Sequence, residues 1–437
     1  MKSFLKRKGL SMAIKTQTLK ANGAKILNTI RANANYDYQS RVPEATQENI
    51  KEVGNAILSY QATTNAFLSA LINRIGLVLI TSRMYENPLR EFKKGKLEFG
   101  ETVEEIFVNI AQAQHYDPSV AENEVFKREI PDVKAIFHRM ERQDFYKATI
   151  SNDQLRTAFL SYQGIEDLIG RIVDSLYSGD NYDEFLCMKQ LLIDYANNGY
   201  FYSVTIPGID TADNARQSIS LLREYSNNLT FMSNTYNSMG VATTTPRADQ
   251  LIILDTHFDA VVDVEVLAQA FNMDKADFLG RRVLIDNFGE LSGAVAALVD
   301  RNWFMVFDNY MSFTEQYNAQ GLYWNYFFHH WQTLSTSRFS NAVLFITDAV
   351  EGSITVTPSA PTLAKGAQQQ FTAVFSGTGS PMQKFNWSLG GNSDESTNIT
   401  SEGLLTVGAN ETGPLTVNCI LAQDTSITKT ATVTISA

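Results

Sequence analysis

Two stretches of the chain carry side chains of the kind that do chemistry. In "LDTHFDAVVDVE" the alternation of Asp255, His257 and Asp259 puts three ligating groups on one side of a strand, with Asp263 and Glu265 close behind. Carboxylates at that density suit a hard divalent cation. The same acids also suit a strand running into a helix, where they oppose the helix dipole and cap its free N–H groups, and that is the simpler reading. The second stretch is "GLYWNYFFHHWQTLSTSRFSNAVLF", residues 321–345. With a strand period of two, Leu322, Trp324, Tyr326, Phe328 and His330 face one way, and Tyr323, Phe327, His329 and Trp331 the other. Both faces are aromatic, which suits a strand covered on both sides or one that also meets another subunit. Adjacent His329 and His330 point to opposite sides and cannot clasp one metal. Trp324, Tyr326, Phe328 and Trp331 are therefore read as core or interface groups.

Other chemistry is scarce. The 437 residues include 5 His and 2 Cys, and Cys187 and Cys419 lie in a helical pattern and a strand-rich tail, which implies no disulfide framework. There is no glycine-rich phosphate loop, no paired-His zinc motif, no Gly-x-Ser-x-Gly elbow and no Cys-x-x-Cys pair. No catalytic, cofactor-binding or metal residue is assigned, no cofactor is expected, and the chain reads as a non-enzyme. A net charge of -11 disfavours a surface that grips nucleic acid through counterion release, so DNA near this protein is expected to be enclosed, not held. "MKSFLKRKGL" is followed by no apolar run, and no secretion signal or membrane anchor is expected.

These residues need elements to place them. Residues 1–50 are polar and uneven and read as an arm, with a short helix possible at "GAKILNTIRANA". Helical spacing follows, changing to a buried strand run at Gly76–Ile80. In "NPLREFKKGKLEFGETVEEIF" a basic group (Arg90, Lys93, Lys94, Lys96) precedes an acidic one (Glu98, Glu101, Glu104, Glu105). "DVKAIFHRMERQDFYKATIS" is then strand-like with charges on both faces, Arg139 and Arg142 among them, which also suits a solvated loop plus an edge strand. A long projecting hairpin tolerates that pattern, since neither face needs a core. A rod at about 164–198 shows an apolar stripe broken at "SGDN". From about 200 to 345 strands and helices alternate, which predicts an α+β domain. After Asp348, Thr, Ser, Gly and Val dominate in short alternating runs, so 351–437 is expected to be a separate β-sandwich with Trp387 as core anchor and few contacts across the boundary.

Several segments resemble the major head proteins of phi-29-type short-tailed bacteriophages: "LINRIGLVLI", "NPLREFKKGKLEFGETVEEI", "FKREIPDVKAIFHRMERQDFYKATI", "LAQAFNMDKADFLG", "NWFMVFDN" and "GLYWNYFFHHWQTLSTSRFSNA". They run from about residue 50 to 345. The tail resembles a bacterial immunoglobulin-like group 2 domain in "VTPSAPTLAKGAQQQFTA", "WS" and "ITSEGLLTV". The resemblance implies an HK-97-type phage capsid fold over 51–350, followed by an all-β Ig-like sandwich. Within it an extended loop (about 85–155) lies on a neighbouring subunit, a spine helix (about 164–198) belongs to the peripheral domain, and an axial domain lies within about 200–345. It implies a structural subunit that self-assembles through hexamers and pentamers into an icosahedral or prolate head. Its implied partners are a scaffolding protein during assembly, a portal protein at one vertex and double-stranded DNA enclosed without sequence-specific binding. Its implied place is the virion, after synthesis in the bacterial cytoplasm. Arg90, Lys93, Lys94, Lys96, Arg139 and Arg142 are the expected inter-subunit contacts. The rival readings are a surface adhesin that binds host-cell glycan through the Ig-like domain, and a metal hydrolase at Asp255–Asp259.

Overall fold

The computed structural model describes residues 23–46, 48–60, 62–67, 70, 85–98, 102–111, 113, 128, 130–160, 164–265 and 281–436. The strand run at Gly76–Ile80 and the segment "LAQAFNMDKADFLG" lie outside the described residues. The chain divides into two compact units, each built from separated segments. One comprises Met1–Tyr85, Phe145–Asp180 and Ser312–His329; the other comprises Glu86–Asp144, Asn181–Met311 and His330–Ala437.

In the first unit, the described residues are helical from residue 23, well inside the expected arm. Helices α1 (Gly23–Asn33), α2 (Tyr36–Arg41) and α3 (Ile50–Leu58) bury Ile26, Leu27, Ile30, Tyr38, Val53 and Ile57. The Arg31 guanidinium ties the first two together by donating to the carbonyls of Val42 (2.8 Å) and Gln39 (3.1 Å), two acceptors at the end of α2. Helix α4 (Asn152–Ala158) opens with a reciprocal cap between Ser151 and Gln154. Gly54 sits inside α3 because the Phe159 ring occupies the place of a Cβ. The same core takes in Trp324, Tyr326 and Phe328.

Helix α5 (Gly164–Asn197) is one uninterrupted rod of 34 residues, about 51 Å long. The break expected at "SGDN" is absent: Gly179 stays helical with the Tyr146 ring beside it, while Asp180 and Asn181 are buried. A four-stranded sheet has the order β1 (Gly95–Lys96), β9 (Phe304–Asn318), β10 (Tyr323–Thr336), β4 (Arg142–Ser151). Between β9 and β10 the chain turns at Leu322, whose φ of +52° leaves its side chain exposed and not on the aromatic face where simple alternation puts it.

The second unit holds a five-stranded sheet in the order β5 (Tyr202–Thr205), β11 (Ala342–Ile346), β8 (Ala294–Asp300), β6 (Gln250–Asp255), β7 (Arg281–Ile285). All five residues of β11 are buried, which requires cover on both faces. Helices α6 (Ala212–Asn228) and α7 (Thr256–Glu265) supply Leu222 and Phe258 to a core with Ile252, Leu298 and Phe345. The strand-like segment at 132–151 forms two strands. Strand β3 (Val133–His138) pairs antiparallel with β2 (Val103–Val108) as a ribbon, and the chain leaves it at 139–141 to form β4. The Ig-like sandwich is made of β12 (Gly352–Thr357), β13 (Thr362–Ala364), β14 (Gln368–Gln370), β15 (Thr372–Gly377), β16 (Phe385–Gly390), β17 (Asn398–Ile399), β18 (Leu404–Thr406), β19 (Leu415–Leu421) and β20 (Thr428–Ser436). Leu405, Leu415, Val417, Leu421 and Val433 are its fully buried centre. Trp387 is only half-buried, packing on that core's rim against Phe371, so the expected anchor is a flank.

Candidate subunit-contact site

The basic segment splits into groups engaged inside the chain and groups that face solvent. A helical turn at Arg90–Phe92 delivers Lys93 to a buried polar network in the second unit. Its Nζ lies 2.7 Å from Glu184 Oε2 and 2.7 Å from Asp308 Oδ1. Asn87 donates to Glu184 Oε1 (2.9 Å), and Gln332 Nε2 donates to both Glu184 Oε2 (2.7 Å) and Asp308 Oδ1 (2.8 Å). The His330 ring bonds Asp308 through Nε2 at 2.9 Å. Buried Arg142 donates to Gln332 Oε1 (2.5 Å) and to Asp144 (2.7 Å). Burial opposes ionisation of Asp308, but the His330 bond and the Lys93 charge outweigh it and hold the carboxyl well below the usual carboxylate range. Burial likewise pulls Lys93 down, and Glu184 and Asp308 outweigh it, so its ammonium is held above its ordinary value. Lys93 and Arg142, both expected as inter-subunit contacts, are therefore engaged by partners within their own chain.

Ligand atoms of Glu184, Asp308 and His330 come within 4.8 Å of one another, a convergence that suits a metal. The Lys93 ammonium already supplies the positive charge between the two carboxylates, so the group is a satisfied salt bridge. Sequence reading missed it. Its members lie up to about 240 residues apart, and only the folded sheet and helix bring them together. The acidic candidates end differently: β6 stops at Asp255, and His257 and Asp259 belong to α7, so the three do not share a strand face. Asp255 Oδ1 accepts the His257 N–H at 2.6 Å as a helix cap, and Asp259 pairs with Arg282 at 2.7 Å.

The ribbon β2–β3 has one engaged and one open side. On the engaged side Phe107 stacks on Phe339 (5.6 Å), Ser337 donates to Glu105 (2.7 Å), the His138 ring meets Ser335 (2.8 Å), and Lys134 donates to the Met239 carbonyl (2.8 Å). That side does have a partner in its own chain, contrary to a ribbon free on both faces. On the other side Ile106 stands opposite Ala135, Val108 opposite Val133 and Glu104 opposite Phe137. Ile106, Val108, Val133 and Phe137 are more than half exposed, with Ile110 and Ile130 beside them. Such a patch marks an interaction surface. Lys96, on β1, and Arg139, just past the end of β3, are exposed, Lys94 is exposed and donates to Asn302 (2.5 Å), and Arg90 is half-buried. Burial pulls Lys94 below its ordinary value, and Asp300 partly opposes this.

In the first unit, Trp324, Tyr326 and Phe328 are buried, with Phe328 stacked on Tyr177 (4.6 Å) and Phe313 (4.8 Å) and Trp324 against Tyr317 (4.4 Å). On the other side of β10, Phe327 packs edge-on to exposed Phe145 (5.9 Å), and His329 meets Thr314 (3.1 Å). In the second unit Trp331, half-buried, lies 5.0 Å from the Tyr310 ring.

Residues 27–346 match the family described as Phi29-like phage major capsid protein. The chain belongs to that family. Residues 352–433 match the bacterial Ig-like domain, group 2. The chain is 41% identical over 397 residues to the major capsid protein of Bacillus phage PZA, covering 90% of this chain and 88% of that protein. It is 42% identical over 398 residues to that of Bacillus phage B103, with the same two coverages. A chain in the capsid structure of Staphylococcus phage Andhra superposes with a TM-score of 0.52 at 15% identity, covering 60% of this chain and 85% of that one. The shell part of this major capsid protein thus has the HK97-like fold, followed by the all-β Ig-like region. As a capsid subunit it is a virion component, and the adhesin reading is not favoured. Among the described residues no helix is long and apolar enough to cross a membrane.

Proposed function

We propose that this capsid subunit builds its shell by seating the open side of the β2–β3 ribbon on a neighbouring copy, with Lys96 and Arg139 forming ion pairs at the rim. The carrying observation is the apolar row Ile106, Val108, Val133 and Phe137, exposed on a ribbon whose reverse side is already packed. Burying such a row contributes about 25 cal/mol per Å² of apolar surface, and each rim pair about 0.2 to 1 kcal/mol, repeated by every copy. Closed rings of copies are the expected hexamers and pentamers, with a scaffolding protein guiding assembly and a portal protein at one vertex. The shell encloses double-stranded DNA without reading its sequence, a role that the net charge of -11 supports. The subunit acts through contacts and not catalysis. Host-surface contact belongs to the Ig-like domain in this scheme.

The test is particle size. Co-expressed with its assembly partner, the chain is expected to sediment as megadalton shells, and the double variant Ile106→Ser, Phe137→Ser as small soluble species. Shells formed by that variant in normal yield would overturn the ribbon's role.

A further inference from the structure

Strand β5 ends the five-stranded sheet: it pairs with β11, Ser203 opposite Leu344, and no described strand pairs with its other side. A bare edge presents unpaired N–H and C=O groups to any passing strand. At Ser203 those groups are taken, and by the Ig-like sandwich. The Gln423 carboxamide, just beyond β19, accepts the Ser203 N–H through Oε1 at 3.3 Å and donates from Nε2 to the Ser203 carbonyl. One side chain makes the pair of bonds that residues exchange across an antiparallel ladder. Oε1 also accepts the Met382 N–H at 3.1 Å, and Ser203 Oγ donates to the Ser380 carbonyl. Ser203 and Met382 are both buried.

Adjacent contacts extend the seam. The Gln383 N–H donates to the Gly199 carbonyl at 2.7 Å, just past the end of α5. Gly199 has a φ of +66°, and a Cβ there would run into the Gln383 side chain, so only glycine permits the approach. Lys384 Nζ donates to the Asn234 carbonyl at 3.2 Å. This is more than the sparse boundary expected from composition.

We propose that the Ig-like domain has a role inside the subunit, independent of any host contact: it seals the open edge of the shell domain's sheet, with the Gln423 carboxamide standing in for a missing strand. The partner it recognises is the backbone of β5. The domain is thereby fixed on the shell domain and does not swing on residues 347–351.

Hydrogen–deuterium exchange on the full-length chain tests this. In the wild type the Ser203 amide is expected to be protected as the β11 amides are; exchange at the rate of a solvent-exposed edge would overturn the proposal whether or not any variant folds. In Gln423→Ala, Ser203 exchange should accelerate on the order of tenfold, as expected for a lost pair of backbone bonds, while Leu344 and Cys419 stay unchanged. Unaltered protection at Ser203 in a folded Gln423→Ala protein would show that the edge is not held by this side chain.

Discussion

Removal of the Lys93 ammonium leaves buried Glu184 and half-buried Asp308 as carboxylates with no lysine between them, so Lys93→Met is expected to destabilise the subunit by about 3 kcal/mol. The effect depends on pH in a defined direction. Asp308 is held below its ordinary value, so its share is present above an unfolded pKa of about 3.9 and fades as pH falls through the lower folded value. Lys93 is held above its ordinary value, so its share is present below about pH 10.4 and fades as pH rises through the folded value. Urea midpoints of wild type and variant should differ most between about pH 5 and 9, and the difference should begin to shrink only below about pH 4, as pH falls towards the lower folded value of Asp308. At Trp324, truncation to Ala in a closed aromatic core should cost about 3 to 5 kcal/mol, and Trp324→Phe clearly less, read as thermal midpoints. A native-like melting curve for the Ala variant would remove Trp324 from the core. The alternation around Trp324 was readable because the period of two depends only on local backbone geometry. The partners of Lys93 were not, because hydrogen bonding across folded segments leaves no periodic trace.

The same contrast holds for whole elements. The apolar stripe of α5 predicted a helix within a residue or two of its ends, but not its continuity. "SGDN" contains residues that break helices in water, yet here Gly179 accommodates the Tyr146 ring and Asp180 and Asn181 are buried. Charges in "FHRMERQDF" concealed the change of sheet at 139–141, since solvated groups are compatible with either a strand or a link. For the ribbon, charge reversal at Lys96 and Arg139 should leave monomer unfolding within about 0.5 kcal/mol of wild type, both side chains being exposed. Shell yield should fall, most strongly at low salt, where rim charges act over longer distances. Yield that is unchanged at low ionic strength would remove these two residues from the contact.

At the scale of the molecule, order in space is not order along the chain. The family resemblance was legible because motifs from about residue 50 to 345 occur in sequence, whereas the seam at Gln423 depends on one amide meeting one backbone position about 220 residues away. Both compact units are assembled from segments that the chain leaves and returns to. The first draws on residues as early as α1 and as late as Phe328, so it has no complete core until about three-quarters of the polypeptide exists. At roughly 5 to 20 residues per second, ribosomal synthesis holds the early helices for on the order of tens of seconds before β10 arrives. Throughout that interval the cluster that holds Ile26, Ile30 and Ile57 lacks Trp324, Tyr326 and Phe328. The nascent subunit is thus kept from finishing early, and copies translated side by side on one message reach the competent state only when each chain is nearly complete.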